Sequence, residues 1–234
     1  MCHGCDRAMT NRAEAVVNLS AIKSNVATLK ARAGVDLLAV VKADAYGHGL
    51  LPVAKAALEG GATWLGVALL EEALSLRAAG ITAPILAWLV PPGSDFQSAV
   101  DNDIDVAIAS IKTLAEISKV KGSKRPRIHL EVDTGMTRGG FLAEWDQIDL
   151  QHMQAVELVG AFSHFARADE PGQPQNLEQL NRFKKMVANL ESAGYNNLIR
   201  HLSNSAATLV DHPAAFDMVR TGIAMYGLSP DVKL

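Results

Sequence analysis

Lys42 stands at the end of an apolar run, Leu37-Leu38-Ala39-Val40-Val41, and is followed by Ala43-Asp44-Ala45-Tyr46-Gly47-His48-Gly49. Five consecutive apolar residues read as a strand buried on both faces. Gly47 and Gly49 then mark a loop. A lysine at such a junction leaves dry surroundings and enters a pocket. Desolvation disfavours its charged form, so its amine is expected to act as a nucleophile near neutral pH. That suits a Schiff base with an aldehyde such as pyridoxal phosphate. A lysine that snorkels from a strand end to water is the alternative for Lys42 taken alone.

Other reactive residue types follow apolar runs in the same way. Glu131 and Asp133 lead to Arg138 in EVDTGMTRGG, and His164 begins HFARAD. His201, Asn204 and Ser205 lie in HLSNSAA, and Arg220, Gly222, Ile223 and Tyr226 in VRTGIAMYG. Ser205 opens an Ala-rich helical stretch and Gly222 permits close backbone approach. Together they could receive a phosphate on N–H groups and hydroxyls. Each also has a plainer reading. Ser205 could be an N-cap, Gly222 a turn glycine, His164 a satisfied structural histidine, Arg220 a brace and Glu131 an exposed glutamate.

Short β-like runs must position these groups. Strands are expected at Leu38–Lys42, Trp64–Ala68, Ile85–Leu89, Val106–Ala109, Ile128–Val132, Leu158–Ser163, Ile199–Leu202 and Met218–Arg220. Helical segments separate them at Leu50–Glu59, Leu70–Ala79, Ile111–Val120 and Gln175–Ala193. In the last, Leu177, Leu180, Phe183, Val187 and Leu190 keep a helical period. Gly60-Gly61, Gly80, Gly122 and Gly194 stand where helix C-caps belong. Ser20 is the expected N-cap of a first helix, Ala21–Arg32. Strand and helix alternating eight times predict a (β/α)8 TIM-type barrel. A doubly wound open sheet is the competitor, but no GxGxxG follows the first strand. Barrel chemistry sits where strands end, and the polar residues above fall there.

Composition narrows the class. The chain has 234 residues, a net charge of −3, 49% hydrophobic and 20% charged residues. It lacks the basic footprint of a nucleic-acid binder. No apolar run approaches the roughly 18–20 residues that span a bilayer. The opening MCHGCDRAMTNRAEA lacks an apolar signal core. Both cysteines lie in Cys2-His3-Gly4-Cys5. A zinc site needs about four ligands and no second pair exists, so no metal is expected. No disulfide framework is implied, which fits a cytoplasmic protein. Residues 1–13 are expected to form a flexible N-terminal extension, and 14–234 the barrel.

VVKADAYGHG, DTGMTRGG, SHFARAD, HLSNSAA and VRTGIAMYGL, in this order, resemble the alanine racemase family of fold-type III pyridoxal phosphate enzymes. The resemblance runs from about Glu14 to Pro230 and implies binding of pyridoxal 5′-phosphate and racemisation of alanine. It makes Lys42 the Schiff-base lysine and the base on one face of the substrate α-carbon. Tyr46 resembles a phosphate contact, and Arg138 the arginine that bonds the cofactor's phenolic oxygen and helps place substrate. His164 resembles the imidazole beside the cofactor ring, and Asn204 and Ser205 match its wall and phosphate positions. Gly222 and Ile223 match backbone donors to the phosphate. Arg220 matches the arginine that faces the pyridine nitrogen. An arginine has no acceptor and stays charged, so that nitrogen is left unprotonated and the ring is a weaker electron sink.

Two departures stand out. Glu131 occupies a position where many relatives carry a carbamylated lysine, and it is expected to hold Arg138 directly. The family's second base, a tyrosine from a C-terminal β-rich domain of the partner subunit in a homodimer, has no counterpart in Tyr46, Tyr195 or Tyr226. The chain therefore reads as the cofactor-binding barrel without the C-terminal β domain, impaired in racemisation by itself. Rival readings are a non-catalytic pyridoxal phosphate homeostasis barrel, another fold-type III racemase, aldolase or decarboxylase, and a cofactor-free interaction domain.

Overall fold

The computed structural model describes residues 13–148, 153–210 and 214–230. Cys2, His3 and Cys5, and the expected N-terminal extension up to residue 12, lie outside the described residues. Eight strands follow one another: β1 (Asp36–Val40), β2 (Trp64–Val67), β3 (Ile85–Ala87), β4 (Asp105–Ile108), β5 (Arg127–Glu131), β6 (Glu157–Phe162), β7 (Ile199–His201) and β8 (Met218–Thr221). The helices are α1 (Leu19–Ala33), α2 (Leu50–Glu59), α3 (Leu70–Ala78), α4 (Phe96–Asp101), α5 (Ile111–Ile117), α6 (Pro174–Ser192) and α7 (Ser205–Leu209). Short 3₁₀ turns occupy Trp145–Gln147 and Ile223–Tyr226.

All strand pairs are parallel, in the order β7-β6-β5-β4-β3-β2-β1-β8. The sheet curls into a nearly closed barrel. At the remaining seam the Asp217 N–H donates to Arg200 O (3.1 Å) and the Arg220 N–H to Ser203 O (2.9 Å). The Arg200 guanidinium also grips the Asp217 carboxylate, Nε to Oδ2 at 2.7 Å and a second nitrogen to Oδ1 at 3.0 Å. This closure excludes the open doubly wound sheet.

Burial explains the strand sequences. Leu37, Ala39 and Val41 face the helices, whereas Leu38 and Val40 face the barrel interior with Trp64, Leu86, Ala107, Val159, Phe162 and Met218. Both faces are dry, so the run is continuously apolar rather than alternating. Into that interior the sequence also sends His129, His201 and Arg220, all buried. Gly66 and Gly160 make room for large neighbours. A Cβ on Gly66 would strike the Trp88 ring at 2.5 Å, and one on Gly160 would strike Ile199 O at 2.5 Å and His129 Nδ1 at 2.6 Å. Beside Gly160 the β5–β6 register shifts between Ile128 and His129.

Strand limits lie within two residues of those expected, with several corrections. Lys42 is outside β1. The N-cap of α1 is Asn18, whose Oδ1 accepts the Ala21 N–H at 3.0 Å, and not Ser20. α5 ends at Ile117 with Ser118 as cap, so Gly122 caps nothing. α4, capped by Asp95, was not expected. Leu177 points outward at 61% exposure, and the buried face of α6 runs through Asn176, Gln179, Leu180, Phe183, Val187 and Leu190. Among the described residues no helix is long and apolar enough to cross a membrane.

Gly160→Ala is expected to lower the unfolding free energy by about 1–3 kcal/mol, the usual cost of overpacking. The obstacles are a strand carbonyl and a locked imidazole. Urea titration checks this against Gly172→Ala, where nothing lies within 4 Å.

Candidate active site

The C-terminal ends of the strands surround a cavity of about 390 Å³, lined by Val40, Lys42, Tyr46, Trp88, Glu131, Arg138, Phe162, His164, Asp169, Asn204, Ser205, Ala206, Arg220, Gly222, Ile223 and Pro230. Its size falls in the range of small-molecule sites. Every residue singled out from the sequence as catalytic or cofactor-binding borders this one space. Val40, Trp88, Phe162, Asp169, Ala206 and Pro230 also line it and were given no role from the sequence. Trp88 lies one residue past β3, so the strand-end rule applied to that run would have found it.

Lys42 does not emerge from a strand into a dry pocket. It begins a turn, Lys42–Gly47, in which Ala43, Asp44, Ala45 and Tyr46 all adopt left-handed backbone (φ 52° to 55°). Left-handed conformation costs an L-residue roughly 1–2 kcal/mol, so this turn must be held from outside. Glu72 of α3 supplies one hold. Its carboxylate accepts the N–H groups of Ala43 (2.6 Å), Ala68 (2.9 Å) and Leu69 (2.9 Å). Asp44 supplies another by accepting the Leu50 N–H at 2.7 Å. The turn leaves Lys42 half-buried, its Nζ 5.9 Å from the centre of the Tyr46 ring.

Among the described residues, Arg220 is the most heavily engaged side chain. It is 5% exposed. It donates to Ser163 O (2.6 Å), His201 O (2.8 Å), His201 Nδ1 (3.0 Å), His164 Nδ1 (3.3 Å) and Leu202 O (3.4 Å). Its guanidinium lies 5.2 Å from the centre of the Phe162 ring. Burial pushes its pKa down to about 10, which leaves it charged at neutral pH. His164 is pushed down to about 3 by burial and by the positive charges of Arg220, Arg138 and Lys42, so its imidazole is neutral.

Across the cavity, donors converge. The Ser205 hydroxyl accepts the N–H groups of Gly222 (3.0 Å) and Ala224 (3.3 Å). A Cβ on Gly222 would sit 2.6 Å from the Tyr46 hydroxyl, so only glycine admits that phenol. Two hydroxyls and backbone N–H groups thus share one corner, a donor set that fits a phosphate group. Asn204, not Ser205, caps α7, with Oδ1 accepting the Ala207 N–H at 3.1 Å. Its amide nitrogen lies 3.4 Å from His164 Nε2.

Arg138 is exposed at the rim, on a loop ordered by Asp133, whose Oδ1 accepts the N–H groups of Gly135 (2.9 Å) and Thr137 (3.0 Å). The expected direct hold of Arg138 by Glu131 is not formed: no ion pair or hydrogen bond joins them. Burial pushes the Glu131 carboxyl upward while the charges of Arg138 and Arg220 pull it down. Glu131 therefore acts on both arginines through space. A further residue escaped the sequence. Gln179 of α6, fully buried, accepts the Ala166 N–H (2.9 Å) and donates to His164 O (2.9 Å) and Thr134 Oγ1 (3.1 Å). It ties the loops after β5 and β6 together. A glutamine one position before the apolar Leu180 was its only signal.

Residues 17–230 match the family described as "Alanine racemase, N-terminal domain". The chain belongs to this family. The alanine racemase of Thermobifida fusca is 49% identical over 231 residues, covering 95% of this chain and 62% of that protein. The alanine racemase of Salinispora tropica is 48% identical, covering 94% and 61%. The Streptomyces coelicolor alanine racemase structure superposes with a TM-score of 0.88 at 43% identity, covering 91% of this chain and 59% of that one. The Bacillus anthracis alanine racemase with bound L-Ala-P gives 0.84 at 41% identity, covering 93% and 58%. The chain thus spans about three fifths of the length of the relatives it matches.

Glu72→Ala is expected to cost about 2 kcal/mol of unfolding free energy, since three N–H groups lose a charged acceptor. It should also weaken ligand binding in the cavity. An unchanged urea midpoint would show that the left-handed turn is held by other contacts. Acid should destabilise the fold through His164. The imidazole ionises near 6.5 when unfolded but only near 3 when folded. The unfolded chain therefore binds the proton first, and stability falls as pH drops from about 6.5 towards about 3. His164→Gln should reduce that slope by up to about 1.4 kcal/mol per pH unit, measured as urea midpoints across the range.

Proposed function

We propose that this chain is the cofactor-binding barrel of a pyridoxal 5′-phosphate-dependent alanine racemase. In this reading the parent protein interconverts L- and D-alanine in the cytoplasm and supplies D-alanine for peptidoglycan. The observation that carries it is a single cavity shared by the Lys42 amine, the Arg220 guanidinium and the donors around Ser205. The names and structures of the relatives support the same activity.

Pyridoxal phosphate, when bound, supplies a ring that withdraws electrons from the α-carbon of an attached amino acid. Lys42 would hold it through its amine and, once released, take or return the α-proton at Nζ on one face. Tyr46, Ser205 and the N–H groups of Gly222 and Ile223 would hold the phosphate. Asn204 would form part of the wall. Arg220 has only donors, so it would leave the ring nitrogen without a proton and keep the sink weak. That choice favours racemisation over reactions that need longer-lived carbanions. His164, neutral, would pack beside the ring without adding charge. Arg138 would orient the substrate carboxylate, a pairing suited to a guanidinium. Glu131 would temper the field of Arg138 and Arg220 without a carbamate.

Proton return on the opposite face needs a second group. Tyr226 is committed, its hydroxyl donating to Val40 O at 3.0 Å. Burial pushes its pKa upward, and Tyr46's as well. Tyr195 does not line the cavity. In this reading the second proton carrier would lie outside this chain, on a partner subunit of a homodimer. Tyr46 at 41% and Ile223 at 38% exposure, both lining the cavity, support a covering surface there.

The test is direct. The purified chain with pyridoxal phosphate should develop a visible absorption band. Borohydride should fix the cofactor on Lys42, located by mass spectrometry, and Lys42→Ala should abolish both. D-alanine formation should be slight for this chain and full for the longer parent. Near-parental turnover by the 234 residues alone would overturn the partner-supplied proton carrier. Capture unaffected by Lys42→Ala would overturn the cofactor reading.

A further inference from the structure

A line of hydrogen bonds leaves the cavity and runs down the barrel interior to its opposite end. Arg220 donates to His201 Nδ1 (3.0 Å), His201 Nε2 meets His129 Nδ1 (2.9 Å), and His129 Nε2 meets Asp105 Oδ2 (3.3 Å). Asp105 is the first residue of β4. It is gripped by Arg127, the first residue of β5, with Nε to Oδ1 at 2.8 Å and a second nitrogen to Oδ2 at 3.2 Å. Arg127 also reaches Glu157 at 2.9 Å. His201 and His129 are fully buried, and Asp105 is 2% exposed.

Only one placement of hydrogens fits this line. A guanidinium offers donors and no acceptor. His201 Nδ1 must therefore be bare, which puts the hydrogen of the neutral ring on Nε2. That hydrogen points at His129 Nδ1, which must in turn be bare. The His129 hydrogen then sits on Nε2 and is received by the Asp105 carboxylate. Reversing any ring would set a donor against a donor at the next contact, and both rings are fully buried, where an unmet polar group is costly. The rings are also locked in place. His201 stacks on Phe162 at 4.9 Å and 9°, and His129 meets the edge of Trp64 at 5.5 Å. Gly160 leaves the space that His129 Nδ1 fills.

We propose that Asp105 and His129 are positioning residues for Arg220. Asp105 sets the His129 tautomer, His129 sets that of His201, and His201 thereby presents a bare nitrogen that aims the guanidinium into the cavity. The carboxylate acts from the far end of the barrel and touches nothing in the cavity. The effect on pyridoxal phosphate rests on the function proposed above, whereas the tautomers do not.

Nitrogen-detected histidine NMR of the cofactor-free chain tests the wiring. His129 and His201 should both be neutral with the hydrogen on Nε2. Either ring with its hydrogen on Nδ1 overturns the proposal. Asp105→Leu removes the acceptor of the His129 N–H and adds no donor or acceptor of its own. It should change the His201 signature, shift the absorption band of bound pyridoxal phosphate, and weaken its binding about tenfold or more. Arg127→Met, which spares the carboxylate, should change neither the His201 signature nor the band. If Asp105→Leu does not fold, His129→Gln is read by the same measurements. A folded variant with wild-type band and affinity overturns the proposal. Failure of the wild-type chain to bind pyridoxal phosphate would count against the proposed function, while the tautomers would still stand or fall by the NMR.

Discussion

A charged guanidinium sits almost wholly buried beside the cavity, and the barrel is arranged to tolerate it. Burying a lone charge costs several kcal/mol even after relaxation. Arg220 offsets that cost with acceptors from the ends of β6 and β7: the carbonyls of Ser163, His201 and Leu202 and the bare nitrogens of His201 and His164. The Phe162 ring face and the negative charge of Glu131 add to this. The same residue donates its backbone N–H to Ser203 and so helps close the β7–β8 seam. One position therefore ties barrel closure to the electrostatics of the cavity. Loss of the acceptors would leave an unpaired buried cation, a larger penalty than the loss of ordinary packing.

A second constraint governs the nucleophile. Four consecutive non-glycine residues in left-handed backbone are an expensive way to leave a strand. The strain is tolerable because Glu72 and Asp44 hold N–H groups that the turn leaves without helical partners. The result differs from the dry lysine expected from the sequence. Lys42 is half-buried and shares the cavity with Arg138 and Arg220. The cationic surroundings are felt most plainly by His164, which they and burial keep neutral. A neutral imidazole between two cationic groups can accept from one without competing for charge.

Much of this was legible along the chain. The barrel and the strand limits were readable because strands dry on both faces are written as unbroken apolar runs, and Leu37 to Val41 is such a run. The strand-end rule brought Lys42, Arg138, His164, Ser205 and Arg220 to one mouth because parallel barrels place all carboxyl ends on the same side. Smaller errors had local causes. Asn18 outcompeted Ser20 as cap, and α6 turned polar Asn176 and Gln179 inward because they serve the loops above them.

Local sequence determined which residues form strands, where those strands stop, and which reactive types stand at their ends, because burial and turn chemistry act over a few neighbours. The bonds that orient those types were decided only by the tertiary structure. Glu72 meets Ala43 across 29 positions, Arg220 meets His201 across 19, and His129 meets His201 across 72. No periodicity encodes such pairs. A carboxylate or imidazole becomes a positioning group only once barrel closure removes water and fixes which donor faces which acceptor.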